Sequence, residues 1–377
     1  MRTGAVLLAA LLLAGCDAAS EPPPVPGTDS ALRVTELAGG LEHGWDIGFL
    51  PSGAQLITER PGALVTVADG QVRPVRAELG DVYAVGEGGL LGLALDPDFG
   101  RNRTFYTCQA HAEGGSPVDV RLVRWRLSPD ERSAQRFGDL LTGLPLNPSG
   151  RHSGCRPTFA PDGMLLVGTG DAARADAAQD RRGLGGKVLR LDPRTGKPPA
   201  GNPFPGSPVL SYGHRNVQGV AVRPGTGQVY LAEHGPSFDD EINRNVPGGN
   251  FGWDPSQGGT EGGYDESVPM TDTARFPDAV RPLWTSGRIT EAICGATFLS
   301  GPSWGELNGA LAVVALKGQK LLLYQLSREG TIVRVRLPGA LNESYGRLRA
   351  ARTGPDGALY VTTSNGADDK LLRLSPF

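Results

Sequence analysis

An all-β fold, a six-bladed β-propeller of four-stranded antiparallel blades, is predicted by three features of this 377-residue chain. Its 55 Gly and 31 Pro are scattered among short apolar runs without a fixed period, which marks many tight turns joining short strands. Six of those turns repeat one pattern, in which an apolar run meets a Pro/Gly turn and then a second apolar run. No amphipathic helical pattern of helix length competes with this reading.

The repeat begins with FLPSGAQLITE at Phe49, then LALDPDFGRNRTFYT at Leu93 and FAPDGMLLVGTGD at Phe159. It continues with VAVRPGTGQVYLAE at Val220, FLSGPSWGELNGALAVVAL at Phe298 and RTGPDGALYVTTSNG at Arg352. The turn prolines are Pro51, Pro97, Pro161, Pro224, Pro302 and Pro355. A hairpin alone cannot bury both faces, and radial repetition of four-stranded units protects the edges, so six units read as six blades. The longest interval, Pro224 to Pro302, holds GGNFGWDPSQGGTEGGYDESVPM, which reads as an ordered functional loop. A generic β-sandwich or two smaller β domains is the alternative.

The domain organisation follows from the N-terminus. MRTGAVLLAALLLAGC pairs one arginine with an apolar run too short to span a bilayer and ends in small residues before Cys16. Residues 1–15 therefore read as a lipoprotein signal peptide, with an ordinary secretory signal as the alternative. Residues 16–30 read as a lipidated Cys16 and a Pro-rich tether, and 31–377 as a single propeller domain. An exported protein, lipid-anchored to the outer face of a bacterial cell membrane, is expected. Export leaves Cys108, Cys155 and Cys294 in an oxidising compartment. One pair and one leftover thiol is the simplest account; Cys108–Cys155 is the pair expected, and three free buried cysteines are the alternative. The net charge of -3 comes from 37 basic and 40 acidic residues well mixed along the chain, so no strong field is offered to nucleic acid. The membrane is expected as a partner only through the anchor.

Three of the five histidines, His152, His214 and His234, sit in polar Gly-containing loops that could converge at one end of a propeller channel. A three-histidine zinc centre is the first alternative to weigh, but no i, i+4 spacing supports it. EHGPSFDDEIN, Glu233 to Asn243, is oxygen-rich enough to suit calcium, or it is an acidic surface turn. Arg215, Asn216, Lys317, Arg347 and Arg349 form a basic set suited to a carboxylate-bearing ligand, with Arg347 and Arg349 placed on one strand face by their spacing. Their expected place is beside the blade turns.

In order along the chain, GEGGLLGLALDPDF, RHSGCR, GTGDAARADAAQDRRGLGGKVLRLDP, YGHRNVQGVAV, EHGPSFDDEIN, GGNFGWDP, ALKG and GRLRAARTGPDGALYVTT resemble the soluble PQQ-dependent glucose/sorbosone (aldose sugar) dehydrogenase family, in its actinobacterial lipoprotein branch. The likeness runs from about Leu41 to Pro376. It implies PQQ and Ca2+ as cofactors, an aldose substrate oxidised to its lactone, and a separate electron acceptor. Carried over residue by residue, it implies that His152 is the general base, within a run that includes Gly154 and Arg156. Arg215, Asn216, Thr290, Lys317, Arg347 and Arg349 then contact PQQ, while the carbonyls of Gly235 and Pro236 hold the calcium ion.

Three departures stand out. Glu87 occupies the place of a glutamine that donates to PQQ, and an ionised carboxylate there only accepts and repels a tricarboxylate ligand. ITEAICG, Ile289 to Gly295, sets Glu291 and Cys294 in the same wall, and Arg151 replaces the polar or acidic residue usual before the histidine. These carboxylates motivate a second reading, a non-catalytic or repurposed propeller lipoprotein binding a carbohydrate or envelope partner. A calcium-dependent lactone hydrolase is a third, though it leaves Lys317, Arg347 and Arg349 without a role.

Overall fold

The computed structural model describes residues 32–256 and 263–377. The segments expected to be a signal peptide, a lipidated Cys16 and a tether lie outside the described residues. Strand β1 (Leu32–Leu41) precedes the first complete blade, β2 (Gly44–Phe49), β3 (Gln55–Glu59), β4 (Ala63–Ala68) and β5 (Gln71–Val75). The second blade is β6 (Leu90–Leu95), β7 (Thr104–Glu113), β8 (Ser116–Leu127) and β9 (Ala134–Leu144). The third is β10 (Gly154–Phe159), β11 (Leu165–Thr169), β12 (Lys187–Leu191) and β13 (Val209–Tyr212). The fourth is β14 (Val217–Val222), β15 (Val229–Glu233), β16 (Glu241–Arg244) and β17 (Trp284–Thr285). The fifth is β18 (Ile293–Phe298), β19 (Leu311–Ala315), β20 (Leu321–Leu326) and β21 (Ile332–Arg336). The sixth runs β22 (Leu348–Thr353), β23 (Leu359–Thr363) and β24 (Asp369–Pro376), and β1 completes it by pairing with β24, Leu32 opposite Pro376. The result is the six-bladed propeller of four-stranded antiparallel sheets that the turn pattern predicts.

Each turn proline falls between the first and second strands of its blade. In Pro161-Asp162-Gly163 the Gly163 amide donates to the Ala160 carbonyl at 2.9 Å, and Gly163 takes φ +80, which a side chain would resist. The repeat seen in the sequence is thus one hairpin, used six times. Apolar side chains from facing blades form the core: Tyr106, Leu122, Leu165 and Leu189 join the second and third blades, and Tyr230, Ile242, Phe298 and Tyr324 join the fourth and fifth. Removing each such side chain from water contributes about 1.5–3 kcal/mol.

The first strand of every blade lines the central channel and carries an irregularity near its start. Register slips by a residue between Gly44 and Asp46, Leu90 and Leu93, Gly154 and Arg156, Val217 and Gly219, Ile293 and Ala296, and Leu348 and Ala350. A bulge of this kind re-aims the extra residue and bends the strand. Trp45, Cys155, Gln218 and Arg349 are such extra residues: Cys155 turns to its disulfide with Cys108, and Arg349 donates to Gln218 and lies over the Trp45 ring.

Candidate active site

His152 immediately precedes β10, whereas Pro161 follows it, so strand length separates them by about 20 Å. The expectation that the chemistry lies beside the repeated turns is therefore corrected. Glu87, Arg215, Asn216, Thr290 and Arg347 also precede channel strands, while Asp171, Gly235, Pro236 and Lys317 follow the second strands that run back to the same end. The candidate residues gather at the end opposite the turns because antiparallel strands return there.

His152 is buried and sits at φ 51, a conformation that favours glycine and that surrounding contacts must enforce. Its Nδ1 lies 2.8 Å from Asp171 Oδ1. Asp171 is buried too, and it also accepts from the Ala173 amide at 2.8 Å, Trp253 Nε1 at 2.8 Å and the Tyr264 hydroxyl at 2.7 Å. Burial would raise the Asp171 carboxyl, but His152, Arg215 and these hydrogen bonds overcome it and hold it below the usual carboxylate range. An ionised carboxylate can only accept, so the proton of the neutral imidazole sits on Nδ1 and Nε2 presents a lone pair. Gly170 makes the approach possible, because a Cβ there would strike the His152 carbonyl.

Facing Nε2 is Glu266, whose Oε1 stands 3.8 Å away. Arg215 donates to Glu266 Oε1 and, through its other terminal nitrogen, to the His234 carbonyl at 2.8 Å. Beside them Glu87 accepts from Asn216 Nδ2 at 3.2 Å and Gln218 Nε2 at 3.4 Å, and Arg349 donates to Gln218 Oε1 at 2.7 Å. Burial would raise Glu87, yet the facing His152, His234, Arg215 and Arg349 leave it lowered and ionised. Deeper in the channel Arg352 grips Asp46 with two hydrogen bonds of 2.8 and 2.7 Å, and Arg156 approaches the same carboxylate at 2.9 Å. Arg156 and Arg349 both lie over the Trp45 ring, at 4.1 and 5.5 Å from its centroid. Burial pushes the Arg156 guanidinium down to about 10, against the pull of Asp46.

Of the residues chosen from sequence, His152 and Arg215 meet at Glu266, and Glu87, Asn216 and Arg349 join in a second set, Arg349 through Gln218. Thr290 does not open onto it: its hydroxyl donates to Asp240 Oδ1 at 2.8 Å and fastens the loop. Lys317 and Arg347 are exposed, and neither makes an ion pair among the described residues. The bulge at Arg349 cancels the alternation that would have put Arg347 and Arg349 on one face, so Arg349 is buried and Arg347 is not. Asp240 is engaged by the Gly235, Glu291 and Ile293 amides, and the Gly235 carbonyl already accepts from His234 Nδ1. His214 is buried between Glu233 at 2.8 Å and Ser211 at 2.9 Å. Among the described residues no three His, Cys, Asp or Glu side chains cluster to hold a metal, which leaves the zinc alternative without a centre. Cys108 and Cys155 are joined in a disulfide, and Cys294 is a buried free thiol. Sequence reasoning missed Asp171, Trp253, Tyr264, Glu266 and Gln218. All five lie inside motifs that it did single out.

Residues 41–373 match the model of the family described as Glucose / Sorbosone dehydrogenase. The chain belongs to that family. As a glucose/sorbosone dehydrogenase family member it is 29% identical over 362 residues to the aldose sugar dehydrogenase YliI of Escherichia coli, covering 92% of this chain and 94% of that one. It is 32% identical over 390 residues to quinoprotein glucose dehydrogenase B of Acinetobacter calcoaceticus, covering 80% of each. Among solved structures it resembles the PQQ-bound form of aldose sugar dehydrogenase from Streptomyces coelicolor, with 29% identity, a TM-score of 0.76, and coverage of 93% of this chain and 100% of that one.

Proposed function

We propose that the protein is a PQQ-dependent aldose sugar dehydrogenase that oxidises its substrate to the lactone, with His152 as general base. The observation that carries this reading is His152, held by Asp171 at Nδ1 so that Nε2 faces Glu266, which Arg215 also grips, with Glu87, Asn216, Gln218 and Arg349 hydrogen-bonded together at the same end. Family membership and the relatives above support it.

The donor set suits an anionic quinone. Arg215 Nε and Arg349 Nε are buried without a hydrogen-bond partner, and Lys317 and Arg347 add exposed positive charge at the same end. Glu87 is the discordant member, and its charge is already offset by Asn216, Gln218 and the nearby arginines. PQQ, when bound, supplies the two-electron acceptor for the hydride of the hydroxyl-bearing carbon. Nε2 takes the hydroxyl proton, and Asp171 stabilises the imidazolium that forms. Trp253 and Tyr264 lock Asp171 and wall the base from water on that side. Calcium enters the proposal on the resemblance alone, through the Gly235 and Pro236 carbonyls.

Export and a lipid anchor at Cys16 on the outer face of the bacterial cell membrane also belong to the proposal. A disulfide suits an oxidising compartment, which supports export. The electron acceptor is a separate molecule. Glu87 favours the second reading, a repurposed carbohydrate- or envelope-binding propeller. A calorimetric titration of PQQ, with and without calcium, into the protein and into Glu87→Gln separates the two. Stoichiometric uptake, tighter in Glu87→Gln, is expected; no uptake by either protein sinks the dehydrogenase reading.

A further inference from the structure

We propose that Glu266 recognises the hydroxyl next to the carbon being oxidised, and so selects sugars over simple alcohols and over deoxy sugars. This rests on the dehydrogenase reading of the site. Glu266 belongs to the Gly-rich loop between β16 and β17, and its side chain is 37% exposed, open to a ligand at the mouth. It is nevertheless fixed at both oxygens, Oε2 accepting from Arg151 Nη2 at 2.8 Å and Oε1 from Arg215 Nη2. Burial would raise its carboxyl, but Arg215, Arg151 and His152 leave it lowered, so it stays ionised at neutral pH.

Oε1 and His152 Nε2 face each other at 3.8 Å, beyond hydrogen-bond reach. In the neutral imidazole with its proton on Nδ1, toward Asp171, Nε2 and Oε1 are both acceptors. A ligand that satisfies both donates twice, and neighbouring hydroxyls on a sugar ring do so from adjacent carbons. The hydroxyl to be oxidised points its proton at Nε2 while its neighbour donates to Oε1. A monoalcohol meets only one of the two. In the reaction the carbonyl forms as the C–H hydride, with both electrons, goes to the quinone and the hydroxyl proton goes to Nε2; Glu266 gains and loses no proton.

The test compares D-glucose with its analogue lacking the hydroxyl next to the oxidised carbon, in PQQ-loaded wild type, Glu266→Gln and Glu266→Ala. A hydrogen bond to a charged group sets the expected wild-type preference in kcat/KM at roughly 10- to 100-fold. Glu266→Gln narrows that preference and Glu266→Ala removes it, chiefly through KM. A second arm follows binding of the same two sugars to the cofactor-free proteins by saturation-transfer NMR, where the glucose preference of the wild type disappears in Glu266→Ala. If the wild type oxidises no aldose yet binds glucose preferentially through Glu266, the dehydrogenase reading fails and the recognition stands. An undiminished preference in Glu266→Ala, or no preference in the wild type in either arm, overturns the inference.

Discussion

His152 shows how much one residue's role depends on a partner distant in sequence. Its imidazole is oriented by Asp171, 19 residues on, and by Tyr264, 112 residues on, and neither pairing can be read from local spacing. The histidine itself was legible because RHSGCR resembles a family run, and Asp171 lay unremarked inside GTGDAARADAAQD. Its role appears only once Gly170 lets the ends of β10 and β11 approach. Thr290 went the other way: it stands at the expected wall, but Asp240 claims its hydroxyl. Replacing Asp171 by Asn keeps the shape but lets the amide donate to Nδ1, which moves the imidazole proton to Nε2 and removes the lone pair. Steady-state kinetics should show turnover reduced by about 10²–10⁴-fold with KM changed little. An Asp171→Asn enzyme of full activity would remove His152 from the role of base.

At the scale of the element, alternation along a strand is the rule that sequence reasoning relies on, and six bulges break it where function sits. Strand existence was legible from Val-, Leu- and Tyr-rich runs between Pro/Gly turns. The bulges leave no compositional mark, and so the split fates of Arg347 and Arg349 could not be foreseen. Another element-level feature is the cross-strand pair of β15 and β16, which sets Glu233 directly opposite Glu241 in the interior. Burial, and then Glu233, pushes the Glu241 carboxyl up to about 8 from 4.5. The folded protein thus holds a proton that the unfolded chain releases near 4.5, and the stability this confers is complete below that value and lost as pH rises through about 8. Glu241→Gln has no such proton to lose. Urea unfolding should therefore show the variant gaining on the wild type as pH is raised from about 5 to 9; parallel pH profiles would mean that folded Glu241 holds no extra proton.

For the whole molecule, the ring closes when β1 from the N-terminal side completes the last blade. Six turns in the sequence announced six blades, but they could not show that the final sheet borrows its outer strand from the start of the domain. The disulfide adds a second tie, joining β7 of one blade to β10 of the next across 47 residues, immediately beside His152. Removing both cysteines as Cys108→Ala with Cys155→Ala should cost about 2–4 kcal/mol in denaturant unfolding. Reduction of the intact protein should lower its stability in the same sense. The ring gathers residues from five blades at one end, and the central claim is that this end transfers a sugar's hydride and proton with His152 as base. The most direct measurement is anaerobic mixing of PQQ-loaded protein with an aldose, following the absorbance of the bound quinone through a single turnover. The wild type should reduce its quinone, and His152→Ala should do so slower by about 10²-fold or more. A wild type whose quinone is not reduced, or a His152→Ala variant that is as fast, would contradict the account.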